Sequence, residues 1–235
     1  MIQAIYKDFI EEADNIRTFR FKPKQPVDHV AGQFTELYLP HNNPDERGIK
    51  RWFTISSAPF DEYLTITTKF SNPSSTFKQA LHKLKPGTEV QLAEPMGDFV
   101  LPKDNAIPLV FVAGGIGITP YHSILSWLAK DGKEYRNIKL IYAVENEDEI
   151  IFQDTFNKAG VHATIVVNHP SDEWGGERGL ITADHILKLT EPEKGTLIYV
   201  SGPEPMVETI QKDLVKLKFP RNQIVTDFFP NYTQY

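Results

Sequence analysis

A glycine-rich stretch that follows an apolar run is the part of the chain best suited to bind a phosphate. The run at residues 109–113 is short and rich in branched side chains, which predicts a buried parallel strand. It continues into Gly114, Gly115, Gly117, Thr119 and Pro120. Glycines allow a tight turn and let backbone N–H groups approach a ligand, and proline is tolerated in a first helical turn. Such a strand–glycine–helix junction predicts an anion site, with a plain structural turn as the alternative.

A second junction of the same chemistry follows a later strand-like run. That run ends at Ser201 and continues into Gly202, Pro203 and Met206. In open parallel sheets, ligands bind beyond the carboxyl ends of the strands, where the strand order reverses. We therefore predict that both junctions lie at that edge of one sheet. Two ordinary β-to-α turns are the alternative.

A third stretch, residues 51–59 (RWFTISSAP), combines a cation, an aromatic pair and hydroxyls on one predicted strand. Arg51 can pair with a diphosphate through two parallel hydrogen bonds, which a lysine cannot match. Trp52 and Phe53 are the aromatic pair, and Phe53 shares a strand face with Arg51 and suits packing against a flat ring. Thr54 offers a hydroxyl that can donate to a ring nitrogen. The alternative is a barrel strand with a surface arginine.

The residues around this third stretch form short β-type runs separated by turn residues. The runs are 2–9, 16–22, 33–39, 51–57, 63–70 and 89–93. One helical pattern, residues 75–84, begins with serine and threonine, which favour helix N-termini. Six short strands with one helix predict a small closed antiparallel β-barrel in a domain of residues 1–102.

After residue 102, strand-like and helical patterns alternate. The strand-like runs are 108–113, 138–144, 161–167, 196–201 and 223–226. The helical patterns are 120–130, 147–158, 182–189 and 204–218. This alternation predicts a doubly wound α/β domain with a parallel sheet, at residues 106–235.

Together, these stretches resemble the signatures of the ferredoxin–NADP reductase superfamily. The flavin signature of that family, Arg-x-Tyr/Phe-Ser/Thr, is matched at Arg51, Phe53 and Thr54. Its pyridine-nucleotide signature, Gly-Gly-x-Gly-x-Thr-Pro, is matched at residues 114–120. Its Cys-Gly-Pro-x-x-Met element is matched at Gly202, Pro203 and Met206, with Ser201 in place of the cysteine. The order and spacing also fit, so the resemblance covers nearly the whole chain.

The resemblance implies an FAD-binding barrel and an NAD(P)-binding domain, with the nicotinamide and the flavin meeting between them. Arg51 would hold the FAD diphosphate, and Phe53 would pack against the isoalloxazine. The backbone around Thr67 and Lys69 would complete the flavin site. Family members use a serine or threonine at the start of the barrel helix to contact the phosphates. The candidates here are Ser74, Ser75 and Thr76, for which a plain helix N-cap is the alternative.

The C-terminal residues 227–232 (DFFPNY) resemble the terminal acid-x-Phe-x-Gly-Tyr segment of the family, with Asn231 replacing glycine. Asparagine tolerates a positive φ angle better than most residues. Asp227 would be a carboxylate near the flavin, and Phe229 or Tyr232 an aromatic cover. The alternative is an apolar tail that packs on the core.

The reaction that the resemblance implies is hydride transfer from NADH or NADPH to FAD. Electrons would then pass to a separate acceptor protein: a ferredoxin, a flavodoxin or an oxygenase component. The cofactors carry such chemistry, so we predict that Thr54, Ser201 and Asp227 act by polar positioning and tuning. Two alternatives are an NAD(P)H:flavin reductase that uses free flavin, and a non-enzymatic nucleotide-sensing subunit.

The segment after the second strand of the α/β domain favours NADH over NADPH. Residues 141–150 (IYAVENEDEI) contain several acids and no base, so an additional phosphate would be repelled. Arg178, in the loop at 172–179, would reverse this preference if it folded over the adenosine.

Composition argues against several other classes of protein. The 40% apolar and 24% charged fractions are typical of a soluble globular chain. No apolar run approaches the roughly 20 residues of a membrane span, and the N-terminus lacks a secretory signal, so we expect a cytoplasmic protein. A net charge of −6 argues against a nucleic-acid partner. Without cysteine, and with seven scattered histidines, no metal site is predicted. Oligomeric state is not indicated.

Overall fold

The computed structural model describes residues 1–131 and 137–229. Three positions of the predicted C-terminal segment, Pro230, Asn231 and Tyr232, lie outside the described residues. The chain divides into two compact units, Met1–Val100 and Leu101–Tyr235, and each contains one six-stranded sheet. None of the helices in the described parts has the length and apolar character needed to cross a membrane.

The first unit is built from antiparallel strands and one helix. Its elements are β1 (Ile2–Ala13), β2 (Ile16–Pro23), β3 (Phe34–Tyr38), β4 (Lys50–Thr54), β5 (Leu64–Lys69), α1 (Thr76–His82) and β6 (Glu89–Leu92). The strand order is β4-β3-β6-β1-β2-β5. Alternate residues of these strands point into an apolar core. Phe77 and Leu81 of α1 are buried in that core and fix the helix to the sheet.

Hydroxyl groups close this sheet into a barrel at its two outer strands. Just beyond β4, Ser56 N donates to the carbonyl of Thr65 on β5 at 2.9 Å. The Ser56 hydroxyl shares hydrogen bonds with the hydroxyls of Thr65 (2.8 Å) and Thr67 (2.9 Å). Thr67 is also bonded to Thr18 on β2 at 2.8 Å. The predicted six-stranded antiparallel barrel is confirmed, and the side chain of Thr67 serves its closure.

The second unit is an α/β domain with a fully parallel sheet. Its elements are β7 (Leu109–Gly114), α2 (Thr119–Asp131), β8 (Ile138–Val144), α3 (Gln153–Lys158), β9 (Ala163–Val167), β10 (Glu177–Arg178), α4 (Ala183–Thr190), β11 (Leu197–Ser201), α5 (Glu204–Lys216) and β12 (Ile224–Asp227). The strand order is β10-β9-β8-β7-β11-β12, so the chain reverses direction across the sheet between β7 and β11. Every residue of β7 is buried, as its continuous apolar run predicts. The predicted doubly wound sheet is confirmed.

One predicted helix is shorter than expected, and one strand was missed. Residues 147–149 form a 3₁₀ turn, and α3 begins only at Gln153 because Phe152 is left-handed with φ 65°. The Phe152 ring stacks on His122 of α2 at 3.8 Å, a packing contact that the sequence pattern does not contain. The missed strand, β10, has two residues and is too short to show a period of two.

The turns after β7 and β11 pack against each other without side chains in the way. A Cβ atom added to Gly117 would lie 2.3 Å from the carbonyl oxygen of Ser201. One added to Gly114 would lie 2.4 Å from the sulfur of Met206. At position 115 a Cβ would meet nothing within 4 Å, and glycine is favoured there because φ is +51°, which other residues rarely adopt. Two of the three glycines are therefore explained by close packing of the two turns.

Replacing Gly117 with alanine should destabilise the second unit. The added methyl group collides with backbone, which cannot rotate away as a side chain can, so we expect a loss of about 1–3 kcal/mol. Gly175→Ala is the matched control because a Cβ there meets nothing within 4 Å. Urea unfolding of both variants measures the difference. Equal free energies of unfolding for the two variants would contradict the close packing.

Candidate functional site

Arg51 lies inside the barrel, not on its surface. The burial of β4 alternates, and Arg51 and Phe53 point inwards, with Arg51 only 4% exposed. Its Nη1 donates to the carbonyls of Arg47 (3.1 Å), Gly48 (2.9 Å) and Lys50 (2.7 Å). The guanidinium also lies over the ring of Phe77 on α1, 5.0 Å from its centroid. The loop before β4 and helix α1 thus fix the position of this cation.

Asp45 is the carboxylate that the guanidinium of Arg51 holds. Arg51 Nη2 donates to Asp45 Oδ1, and Arg47 Nη2 donates to Asp45 Oδ2 at 3.0 Å. Burial raises the pKa of Asp45, but the hydrogen bonds from the two arginines outweigh burial and the pKa lies below its usual value. Arg51 is therefore held in place by one carboxylate and three carbonyls, and its contact with a diphosphate stays a prediction. The sequence gives no sign of this role for Asp45 and Arg47, because the pattern of their loop indicates only a turn between strands.

The three hydroxyls at the start of α1 all bond to protein atoms. Ser75 is the N-cap, and its Oγ accepts from the backbone N of Lys78 at 3.3 Å. Ser74 Oγ donates to the carbonyl of Ser71 at 2.6 Å, and Thr76 Oγ1 is 3.3 Å from His41 Nε2. The structure thus shows the plain N-cap for Ser75. Phosphate contacts from these hydroxyls stay a prediction.

The three residues after Arg51 have different environments. Thr54 ends β4 and is 7% exposed, and its hydroxyl has no hydrogen-bond partner within residues 1–131 and 137–229. Phe53 belongs to the barrel core, 6.1 Å from Phe77 between ring centroids. Trp52 points outwards, is 39% exposed and packs on Phe34 at 6.0 Å. Only a small edge of Phe53 is open to a ligand, whereas the Thr54 hydroxyl is not committed to another residue.

In the second unit, the structure brings the two glycine junctions and the C-terminal acid together. Ser201 lies opposite Ala113 of β7 and opposite Asp227 of β12 in the strand register. Pro203 precedes α5, and the nearby Met206 packs against both glycine turns. Thr119 and Pro120 are the first residues of α2, and the Thr119 hydroxyl donates to the carbonyl of Ile116 at 3.0 Å.

At this edge of the sheet, Asp227 has a pKa that is raised towards neutral pH. Burial raises its pKa to about 6, against the opposing effect of a hydrogen bond with the Ser201 side chain. Tyr121 lies close enough for the charge of Asp227 to add to burial in raising the tyrosine pKa, and its hydroxyl donates to the carbonyl of Val112 at 3.0 Å. The carboxyl of Asp227 therefore exchanges its proton only slightly below neutral pH. The nearby Phe229 is half-buried.

An acidic group follows β8 at the same edge. Glu145 Oε2 accepts from Asn168 Nδ2 at 2.9 Å, and Glu147 Oε1 accepts from the backbone N of Ser171 at 2.8 Å. Arg178 donates to carbonyls of its own loop: Ser171 (3.2 Å), Asp172 (3.4 Å) and Trp174. In the described ranges, no group of three or more histidine, aspartate or glutamate side chains is arranged to hold a metal ion.

Comparison with known proteins adds independent findings. A family model described as "Oxidoreductase NAD-binding domain" matches residues 111–212. The chain is 28% identical over 235 residues to flavohemoprotein A of Dictyostelium discoideum, covering 94% of this chain and 58% of that protein. It is 26% identical over 236 residues to NADH-cytochrome b5 reductase 1 of Aspergillus terreus, covering 94% of this chain and 79% of the relative. The chain thus spans little more than half the length of the flavohemoprotein.

Solved structures share the whole fold. The flavohem-like FAD/NAD-binding domain of nitric oxide dioxygenase from Vibrio cholerae superposes with a TM-score of 0.82 at 22% identity, covering 97% of this chain and 98% of that domain. Residues 111–212 thus match an oxidoreductase NAD-binding domain, and the chain as a whole is similar to flavohemoproteins, NADH-cytochrome b5 reductases and an FAD/NAD-binding domain that shares its two-sheet fold.

Proposed function

We propose that this chain is an FAD-containing reductase that takes a hydride from NADH and passes electrons to a separate acceptor protein. The observation that carries the proposal is β4, where a buried arginine that already holds a carboxylate lies three residues from an uncommitted threonine hydroxyl. Arg51 and Thr54 match the two polar parts of FAD, the diphosphate and the ring nitrogens. FAD, when bound, supplies a two-electron acceptor that releases electrons singly or in pairs.

The acceptor is proposed as a ferredoxin, a flavodoxin or an oxygenase component. The name of one relative, NADH-cytochrome b5 reductase 1, adds cytochrome b5 to these candidate acceptors and also names NADH. All these acceptors are proteins that take single electrons. A reductase that retains FAD suits them because it divides a hydride pair into single electrons, whereas a nucleotide sensor needs no flavin.

In this proposal, the residues of the chain position the cofactors and tune their reactivity. Arg51 holds the diphosphate through its planar guanidinium, and Thr54 donates a hydrogen bond that orients the flavin ring. Asp227 holds a proton at its carboxyl below about pH 6, and the hydroxyl of Ser201 orients that carboxyl. Serine at this position is harder and more polar than the cysteine of many family members.

The acidic group after β8 supports NADH as the donor. The carboxylates of Glu145 and Glu147 would repel the 2′-phosphate of NADPH, and a carboxylate accepts a hydrogen bond from a ribose hydroxyl. Arg178, the residue that would reverse the preference, is bonded to the carbonyls of its own loop. We therefore propose that the chain uses NADH.

Anaerobic addition of NADH to the FAD-loaded protein tests the central proposal. We expect the visible flavin absorbance to bleach, and Thr54→Val to slow bleaching by about tenfold because one hydrogen bond to the ring is lost. Thr54→Ser, which keeps the hydroxyl, should bleach at nearly the normal rate. A protein that reduces flavin without retaining it would favour the free-flavin reductase instead. Nucleotide binding without reduction would favour the sensing subunit.

Glu145→Gln should weaken the preference for NADH. Removing one negative charge lowers the repulsion of the 2′-phosphate and weakens the contact with the ribose, so we expect the ratio of kcat/KM for NADH to that for NADPH to fall about tenfold. The measurement is steady-state reduction of a small one-electron acceptor with each nucleotide. Glu173→Gln, on the exposed loop after β9, is the control and should leave the ratio unchanged. An unchanged ratio in the Glu145 variant would exclude that carboxylate from selectivity.

Asp227→Asn should change how stability depends on pH. The folded pKa of about 6 lies above the unfolded value of about 3.9, so the folded protein holds this proton more tightly. The contribution of this group to stability is therefore fully present below about pH 4 and is lost as pH rises through 6. Relative to wild type, the asparagine variant should gain stability between pH 4 and 7. Urea unfolding across this range, with the exposed Asp213→Asn as control, measures it. Parallel profiles for wild type and the Asp227 variant would contradict the raised pKa.

A further inference from the structure

Lys78 lies beside the Arg51 site, although its position in the sequence gives no sign of a role. It follows Phe77, whose ring lies under the guanidinium of Arg51 at 5.0 Å from the centroid. The Nζ of Lys78 donates to the carbonyl of Lys69, the last residue of β5, at 2.6 Å. The amine is thus fixed between α1 and the end of β5, near enough to Arg47 and Arg51 for their charges to act on it.

The surroundings of this amine are positively charged. Burial, together with the smaller effect of the charges of Arg47, Arg51 and Lys69, lowers the pKa of Lys78 to about 8. Asp45 is bonded to the two arginines of this group. Several cations held this close in a half-buried place repel one another, and an anion bound among them removes that repulsion.

We propose that Lys78 is the second cation of the diphosphate site, binding one phosphate group of FAD while Arg51 binds the other. This inference rests on the proposed function, in which the barrel binds FAD. A diphosphate carries two negative groups, and one guanidinium fork matches the oxygens of one of them, so a point charge nearby suits the second. An ammonium has three N–H donors, so Lys78 can keep its bond to the carbonyl of Lys69 and still donate to a phosphate oxygen.

The test is the affinity of flavin-free protein for FAD, measured by fluorescence titration at two salt concentrations. Lys78→Gln should raise the Kd about tenfold or more, because a charged hydrogen bond to phosphate is lost. It should also make the affinity less sensitive to salt, since one ion pair fewer is screened. Lys78→Arg, which keeps the charge, should stay within about threefold of wild type. Lys83→Gln, at the exposed end of α1, is the matched control and should bind as wild type does.

The outcomes separate this inference from the proposed function. If the wild-type chain binds no FAD, the proposed function fails and this inference fails with it. If wild type binds FAD and Lys78→Gln binds equally well, only the role of Lys78 is overturned. If Lys78→Arg loses as much affinity as Lys78→Gln with an unchanged salt dependence, Lys78 positions β5 through the Lys69 carbonyl and does not bind phosphate. Unfolding of the flavin-free variants checks that each is folded before titration.

Discussion

The ion pair of Arg51 with Asp45 is the interaction on which the first unit is organised. A guanidinium 4% exposed within an apolar barrel is stable only if its N–H groups find oxygen partners. The loop before β4 supplies them as one carboxylate and three backbone carbonyls. The ring of Phe77 covers the guanidinium plane, so α1 is fixed relative to β4 by the same cation. These bonds fix the direction of the guanidinium without any ligand.

The second unit depends on a close contact between two turns that is possible only because Gly117 has no side chain. Because Gly117 has no Cβ, its backbone approaches the carbonyl of Ser201, and the turns after β7 and β11 meet. The register then places Ser201 between Ala113 and Asp227. The glycine motif thus has a packing role in addition to any contact with a nucleotide. The two requirements coincide because the strand order reverses between β7 and β11, where parallel sheets bind ligands.

The sequence predicted the elements well where side-chain periodicity is strong. β7 and β8 follow from apolar runs, and the barrel strands follow from alternation between turn residues. It failed where the cause is tertiary, as at Phe152, which is held left-handed next to its stacking partner His122. Site residues divide in the same way. Arg51, Ser201 and Asp227 belong to signatures with fixed spacing, whereas Asp45 and Lys78 come near Arg51 only when the loop before β4 and α1 pack on the barrel.

The environment of Asp227 shows how a strand pairing prepares a titratable group. Pairing of β12 with β11 removes the carboxyl from most of the solvent, and desolvation favours its neutral form. The hydroxyl of Ser201 opposes this effect only in part, so the pKa settles near 6 and not near the ordinary value. A cysteine at position 201 is a weaker hydrogen-bond donor than serine, and it would stabilise the carboxylate less. The serine of this chain therefore lowers the pKa of the carboxyl beside it relative to a cysteine-containing relative, and it extends the ionised form of Asp227 to lower pH.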